Sequence, residues 1–281
     1  MLGHQVAGRF SKSYEVVATL RKPPTPSVAA ALAGCRVVTG VDVRVPDTSH
    51  RLLLDERPDV VINAVGIVKQ RAAAADPLES IAVNSLFPHR LASLCGLANA
   101  RLIHISTDCV FSGDRGNYKE GDNPDPVDLY GRTKLLGELT ETGCLTIRTS
   151  MIGLELGQPS GLIEWFLQQT DTASGWTRAK WSGLTTVELA RVIEMLVRDH
   201  RELDGLWHIS AQPITKYKLL VDFGALLNRP TRVVPSDTVV IDRSLSSERF
   251  RAAVQYVPPR WAQMLAELAY AVRDREESSR A

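Results

Sequence analysis

The sequence has no apolar run long enough to cross a bilayer and no basic-then-apolar leader, so neither a membrane span nor a signal peptide is expected. Cys35, Cys95, Cys109 and Cys144 are widely spaced, and no Cys-x-x-Cys occurs. That spacing argues against a zinc site or a disulfide framework; reduced thiols, a cytoplasmic setting and no metal are expected. An excess of charge of one sign is lacking too. The net charge of +1 provides no field to recruit nucleic acid or an anionic membrane. No internal repeat is present, nor any low-complexity segment apart from the charged tail 273–281. What remains, 44% hydrophobic and 23% charged residues over 281 positions, suits one full core or one core with a smaller partner.

Chemistry concentrates between Ser106 and Lys134. Arg101-Leu-Ile-His-Ile105 alternates and carries β-branched residues, so it reads as a buried strand ending at Ser106. A Gly- and Pro-rich loop follows, and Asp128 then caps a helix on which Tyr130 and Lys134 share a face. A tyrosine hydroxyl titrates near ~10, too high for ready proton exchange at neutral pH. An ammonium one turn away favours the phenolate. Thr107 or Ser106, at the carboxyl end of the strand, can hydrogen-bond the same substrate oxygen. Together these groups would polarise a carbonyl while a cofactor carries hydride. A bare Tyr-x-x-x-Lys also describes an ordinary solvated helix face; the strand and the Ser-Thr-Asp before it make the stronger case.

These residues resemble the extended short-chain dehydrogenase/reductases, most closely the dTDP-4-dehydrorhamnose reductase branch. The likeness rests on STDCVFSG, LYGRTKLLGE, Asn63-Ala-Val-Gly66 and the terminal RSLSSERF with PPRW, in the family's order. It implies an α/β fold: a Rossmann-type doubly wound parallel sheet over 1–150, with 186–209 returning to it. A smaller interleaved α+β substrate lobe is expected from 151–185 and 210–272, followed by the tail at 273–281.

The start of the chain departs from that pattern. Met1–Phe10 reads as a helix opening and Tyr14–Leu20 as a strand, whereas a dinucleotide-binding unit has a strand and a Gly-x-x-Gly-x-x-Gly turn before its first helix. Of those glycines only Gly3 is present, and the first strand is apparently absent. The leading expectation is that Met1 is an internal methionine of a longer protein. The competing one is a divergent member with impaired dinucleotide binding.

Arg21 and Lys22, after the second strand, suit a ribose 2′-phosphate, so NADP(H) is expected over NAD(H), which stays possible. A charged surface loop would look the same. The resemblance places Asp42 and Val43 beside the adenine. Asp59–Gly66 reads as a continuous apolar parallel strand whose Ala64, Val65 and Gly66 approach the cofactor. Asp76-Pro77-Leu78-Glu79 is a helix start, with Pro88 bending the helix and Asn84 either structural or surface. His89 and His104 read as core or packing histidines. Further on, Leu162–Gln169 reads as a helix, Trp176, Trp181 and Gly183 as loop, and Thr185 as the cap of a helix to about Arg198.

The residues around Thr107 discriminate among activities of the family. Dehydratases place a glutamate after the aspartate; here Cys109 follows Asp108, which argues against water elimination. Epimerase-reductases place a cysteine at this position, but also need a histidine acid, and none lies between His104 and His200. Cys109 then reads as packing. Cys109 and Met151 both depart from the branch's tyrosine and tryptophan. The resemblance therefore implies NADPH reduction of the 4-keto group of a nucleotide-linked deoxysugar by a monomer or homodimer. Thr107, Tyr130 and Lys134 would be catalytic, with Tyr130 and Lys134 also holding cofactor. Thr107, Asp108, Met151, Trp181 and Arg249 would face substrate, with Arg148 a further candidate that more simply packs. The rival reading is a non-catalytic partner module, as in the regulatory subunit of methionine adenosyltransferase, which resembles the same branch.

Overall fold

The computed structural model describes residues 1–69, 75–157 and 159–278. Helix α1 (Leu2–Phe10) opens the chain and buries Leu2, Val6 and Phe10 on one stripe. Strand β1 (Val17–Leu20), α2 (Pro26–Ala31), β2 (Arg36–Thr39), α3 (Pro46–Glu56) and β3 (Val60–Asn63) follow in βα alternation. Helix α4 (Pro77–Ser80) is capped by Asp76, which accepts from the Leu78 and Glu79 amides. It runs through a π-helical turn, Ile81–Leu86, into α5 (Phe87–Ala98). Pro88 lacks the amide a regular helix needs there, so the wider turn and the proline occur together. Then come β4 (Arg101–Ile105), α6 (Leu129–Leu136) and β5 (Cys144–Arg148).

Beyond β6 (Met151–Ile152) and α7 (Leu162–Leu167) the chain enters β7 (Thr172–Trp181) and β8 (Leu184–Thr185). Helix α8 (Thr186–Asp199) is capped by Thr185, and β9 (Gly205–His208) follows it. The remaining elements are β10 (Ile214–Thr215), α9 (Lys216–Leu226), β11 (Arg232–Asp242), α10 (Glu248–Val254) and α11 (Trp261–Ser278). Two sequence expectations are corrected here. Trp176 and Trp181 lie within β7, not in a loop; its inward positions Ala173, Gly175 and Ala179 are small and hide the apolar alternation. Arg273–Ser278 continues α11 and Arg275 pairs with Glu164 at 2.7 Å, while 279–281 lie outside the described residues.

The main sheet is parallel, in the order β3-β4-β5-β9. Period-two geometry sends Ile103, Ile105, Leu145 and Ile147 to one face, under α1 and α8, and Leu102 and Cys144 to the other, under α3 and α5. On α8 alone Leu189, Val192, Ile193, Leu196 and Val197 are buried, each worth roughly 1.5–3 kcal/mol of transfer free energy. A second core, with Phe166, Trp181, Phe223, Leu265 and Leu268, lies under the separate β10-β7-β11 sheet.

Strands β1 and β2 pair with each other in a parallel two-stranded sheet. Among the described residues no strand joins β1 to β3. Both strands therefore keep one unpaired edge, and β3 is only half-buried at Val60, Val61 and Ile62, where a doubly wound sheet would bury its central strands.

Candidate active site

The site forms where β4 ends and α6 begins. Strand pairing continues past β4, since the Ser106 amide donates to the Ile147 carbonyl at 2.7 Å and Asp108 N–H to Thr149 at 3.2 Å. This holds Thr107 and Asp108 rigidly in a buried turn. Thr107 Oγ1 accepts from the Cys109 amide at 3.1 Å and donates to Asp108 Oδ1 at 3.2 Å. Helix α6 is brought against this turn by two glycines. A Cβ on Gly131 would overlap the Cys109 carbonyl oxygen, and one on Gly137 the Asn84 carbonyl oxygen. Asp128, a carboxylate at the end where the helix dipole favours negative charge, caps α6 through the Gly131 amide at 2.8 Å and also takes Lys69 Nζ at 2.7 Å.

Helix α6 sets Tyr130 beside Thr107 and Lys134 one turn further along, but the electrostatics differ from the sequence reading. Burial, together with Cys109 and Asp108 nearby, raises the Tyr130 hydroxyl above its ordinary value, against a lowering hydrogen bond with Thr107. Lys134 does not offset this because its Nζ turns to β4, donating to the Ile105 carbonyl at 2.6 Å beside His104 Nε2 at 3.4 Å. Burial pulls Lys134 down to about 8, opposed by Glu138.

Cys109, read from the sequence as packing, is half-buried and also makes a polar contact. Its thiol stands 3.4 Å from an Arg243 nitrogen and close enough to Tyr130 to influence it. Burial and the Asp108 charge push that thiol up to about 12. Asp108 is raised by burial and held down by Arg243 and, more weakly, Lys216. Lys216 Nζ lies 4.8 Å from the centre of the Trp176 ring. Arg243 and Lys216 escaped the sequence reading, although Arg243 opens the RSLSSERF segment that carried part of the resemblance.

The other expected substrate residues divide. Met151, on β6, is half-buried and packs on the main core. Trp181 is buried with its ring 5.4 Å from Trp261. Arg249 stacks 3.8 Å from the Trp207 ring centre and donates to the Leu206 carbonyl at 3.0 Å, neither contact belonging to the Thr107–Tyr130–Lys134 cluster. Arg148 is consumed by a buried pair with Glu138 at 2.7 Å.

On the expected cofactor side, Ala64, Val65 and Gly66 lie exposed at the carboxyl end of β3, and Arg21 and Lys22 exposed after β1. A Cβ on Gly3 would meet open space at the start of α1. Asp42 is engaged by Arg44 at 2.5 Å, which with Arg21 depresses its carboxyl to about 2. Arg44 also binds Glu79 at 2.9 Å, so it is a further unforeseen basic group at this edge. Val43 packs half-buried near α3 and α5. Asn84 is structural: it receives the Ile67 amide at 2.9 Å and donates to the Ile67 carbonyl at 3.0 Å. His89 is exposed, not core, and meets the Leu136 carbonyl at 2.7 Å.

The family description "RmlD substrate binding domain" matches residues 1–274. A protein named probable low-salt glycan biosynthesis reductase Agl14, from Haloferax volcanii, is 30% identical over 76% of this chain and 73% of its own length. The dTDP-4-keto-6-deoxy-D-glucose reductase of Streptomyces niveus is 30% identical over 80% of this chain and 79% of its own. Among solved structures, the dTDP-4-dehydrorhamnose reductase of Bacillus anthracis in complex with NADP superposes with a TM-score of 0.74. It shares 19% identity and covers 91% of this chain and 99% of that one, a likeness of fold.

Proposed function

The chain belongs to the RmlD substrate-binding-domain family, and from that premise we propose that it is an NADPH-dependent reductase of the 4-keto group of a nucleotide-linked deoxysugar. The observation that carries this reading is the convergence of Thr107, Tyr130 and Lys134 at the carboxyl end of β4, beside the exposed turn Ala64–Gly66.

The surroundings fit a dinucleotide at both ends. Arg21 and Lys22 are open to a 2′-phosphate, Ala64–Gly66 leaves an uncovered path past β3, Gly3 leaves open space at α1, and Lys134 reaches the same strand ends as Tyr130. When bound, NADPH supplies the hydride. Thr107 donates its hydroxyl to the carbonyl oxygen and orients it. Tyr130, kept protonated by burial, gives its proton to the alkoxide that develops there. Lys134 in its ammonium form stabilises the resulting phenolate and holds the nicotinamide ribose. Arg243 and Lys216, close to Asp108, offer positive charge for the substrate's diphosphate, and Asp108 a partner for a sugar hydroxyl. The proposed setting is cytoplasmic, with the chain as monomer or homodimer in deoxysugar precursor synthesis.

A partner-module reading is favoured by one observation: among the described residues β1 and β3 each leave one edge unpaired. The two readings separate in one experiment. Quenching of the five tryptophans is titrated with NADPH and NADH, and NADPH oxidation is then followed with dTDP-4-keto-6-deoxy-glucose or its 4-dehydrorhamnose isomer. Binding that favours NADPH, with sugar-dependent oxidation, supports the reductase. No binding of either dinucleotide would overturn it in favour of the module.

A further inference from the structure

The catalytic face carries a hydrogen-bond chain whose direction is set at both ends by backbone groups. At one end the Val65 amide donates to Asn63 Oδ1 at 3.1 Å. A backbone N–H can only donate, so the oxygen of Asn63 must face Val65 and its amide nitrogen must face the other way. That nitrogen meets His104 Nδ1 at 3.1 Å, across the β3–β4 register that places Asn63 opposite His104. Receiving an N–H, Nδ1 carries the lone pair, so the proton of the neutral ring sits on Nε2. Nε2 faces Lys134 Nζ at 3.4 Å, and Nζ donates onward to the Ile105 carbonyl at 2.6 Å. Asn63, His104 and Lys134 are 3%, 0% and 4% exposed, so water offers them little substitute.

Only one protonation state of Lys134 satisfies every link. An uncharged amine has a lone pair for the His104 Nε2–H and hydrogens for Ile105. An ammonium has no lone pair and sets two donors face to face. We propose that His104, oriented by Asn63, is a positioning residue for Lys134 that donates to its uncharged amine and opposes its charging. This rests on the reductase reading for what the ammonium does, whereas the direction of the chain stands on the hydrogen bonds themselves.

The surrounding charges leave room for this control. On α6, Tyr130 stands one turn before Lys134; Glu138, just past the end of the helix, favours the ammonium. Glu138 is itself held by Arg148 of β5 and by Ser106, and Arg148 touches His208 of β9. His89 on α5 acts on His104, whose ring burial keeps neutral, well below its ordinary titration range. Charging Lys134 therefore means releasing His104. Because Asn63 leads directly into Ala64–Gly66, the chain ties the turn expected to hold cofactor to the lysine that serves the chemistry.

Two measurements on the full chain test this, and neither uses turnover. Long-range 1H–15N spectra, with His104 assigned through H104Q, are expected to show the Nε2–H tautomer; an Nδ1–H ring would overturn the proposal. In N63D the carboxylate accepts from both Val65 and His104 Nδ1, turning a lone pair toward Lys134. Titration of 13Cε-labelled lysine, assigned with K134M, is then expected to show Lys134 binding its proton about tenfold more tightly, one pH unit. In N63D/H104L only the field of the carboxylate remains and the rise is expected to be much smaller. Equal rises in both backgrounds overturn the role of His104. If the variants do not fold, the wild-type tautomer decides alone. A chain with the expected tautomer that reduces no nucleotide sugar would sink the reductase reading and leave this one standing.

Discussion

Lys134 Nζ donates to the carbonyl oxygen of Ile105 at 2.6 Å, joining the last turn of α6 to the last residue of β4. This bond fixes the spacing between the helix that carries Tyr130 and the turn that carries Thr107. Four expectations follow from the surrounding geometry.

Removing the Tyr130 hydroxyl as Tyr130→Phe leaves the ring and the α6 contacts in place. Turnover is expected to drop by roughly 10²–10⁴-fold, the range for a lost general acid. NADPH affinity by fluorescence should change little. An intact rate in this variant would assign proton delivery elsewhere.

The close approach of α6 should tolerate no side chain. Gly131→Ala and Gly137→Ala each place a methyl group against a carbonyl oxygen, on Cys109 and Asn84 respectively. Overpacking of this kind costs about 1–3 kcal/mol, measurable by urea unfolding. Gly131→Ala should also slow turnover, because Tyr130 is its neighbour in sequence; a stable, fully active Gly131→Ala would contradict the packing described.

Glu138 and Arg148 form an ion pair with side chains 7% and 3% exposed. Glu138→Leu alone strands a buried guanidinium and should destabilise the protein by about 3–5 kcal/mol. The double variant Glu138→Leu/Arg148→Met removes both charges, so its loss should be smaller than that of the single variant. Larger loss in the double variant would refute this.

The pH dependence of Lys134 has a definite sign. Burial lowers its folded-state value from 10.5 to about 8, so between those limits the unfolded chain binds more protons and stability rises with pH. Relative to Lys134→Met, the wild type should gain up to about 3 kcal/mol from pH 8 to 10.5 in unfolding free energy. A flat difference across that window would mean that Lys134 is not held as described. Reductase activity should fall over the same rise, as the ammonium is lost.

Much of the molecule was legible in the chain because its signals are local. Asp76, Asp128 and Thr185 cap helices through amides two or three residues ahead, and the apolar run of β4 needs no distant information to read as a buried strand. Tyr130 and Lys134 share a face by helical spacing alone. Where side chains are small or contacts are distant, reading failed. The inward face of β7 is Ala173, Gly175 and Ala179, so its two tryptophans looked like loop residues.

By itself, then, the sequence determined the parallel βα order and the placing of Tyr130 and Lys134 on one helix face, which follow from periodicity and caps, and its short motifs carried the resemblance to the family that the match over residues 1–274 shows. Tertiary structure alone decided which charges meet. It set Arg243 against Cys109, Arg148 against Glu138 and His104 between Asn63 and Lys134, pairs separated by 134, 10, 41 and 30 positions. Protonation depends on burial and on the direction of hydrogen bonds, and both are properties of packed elements that no local window of residues contains.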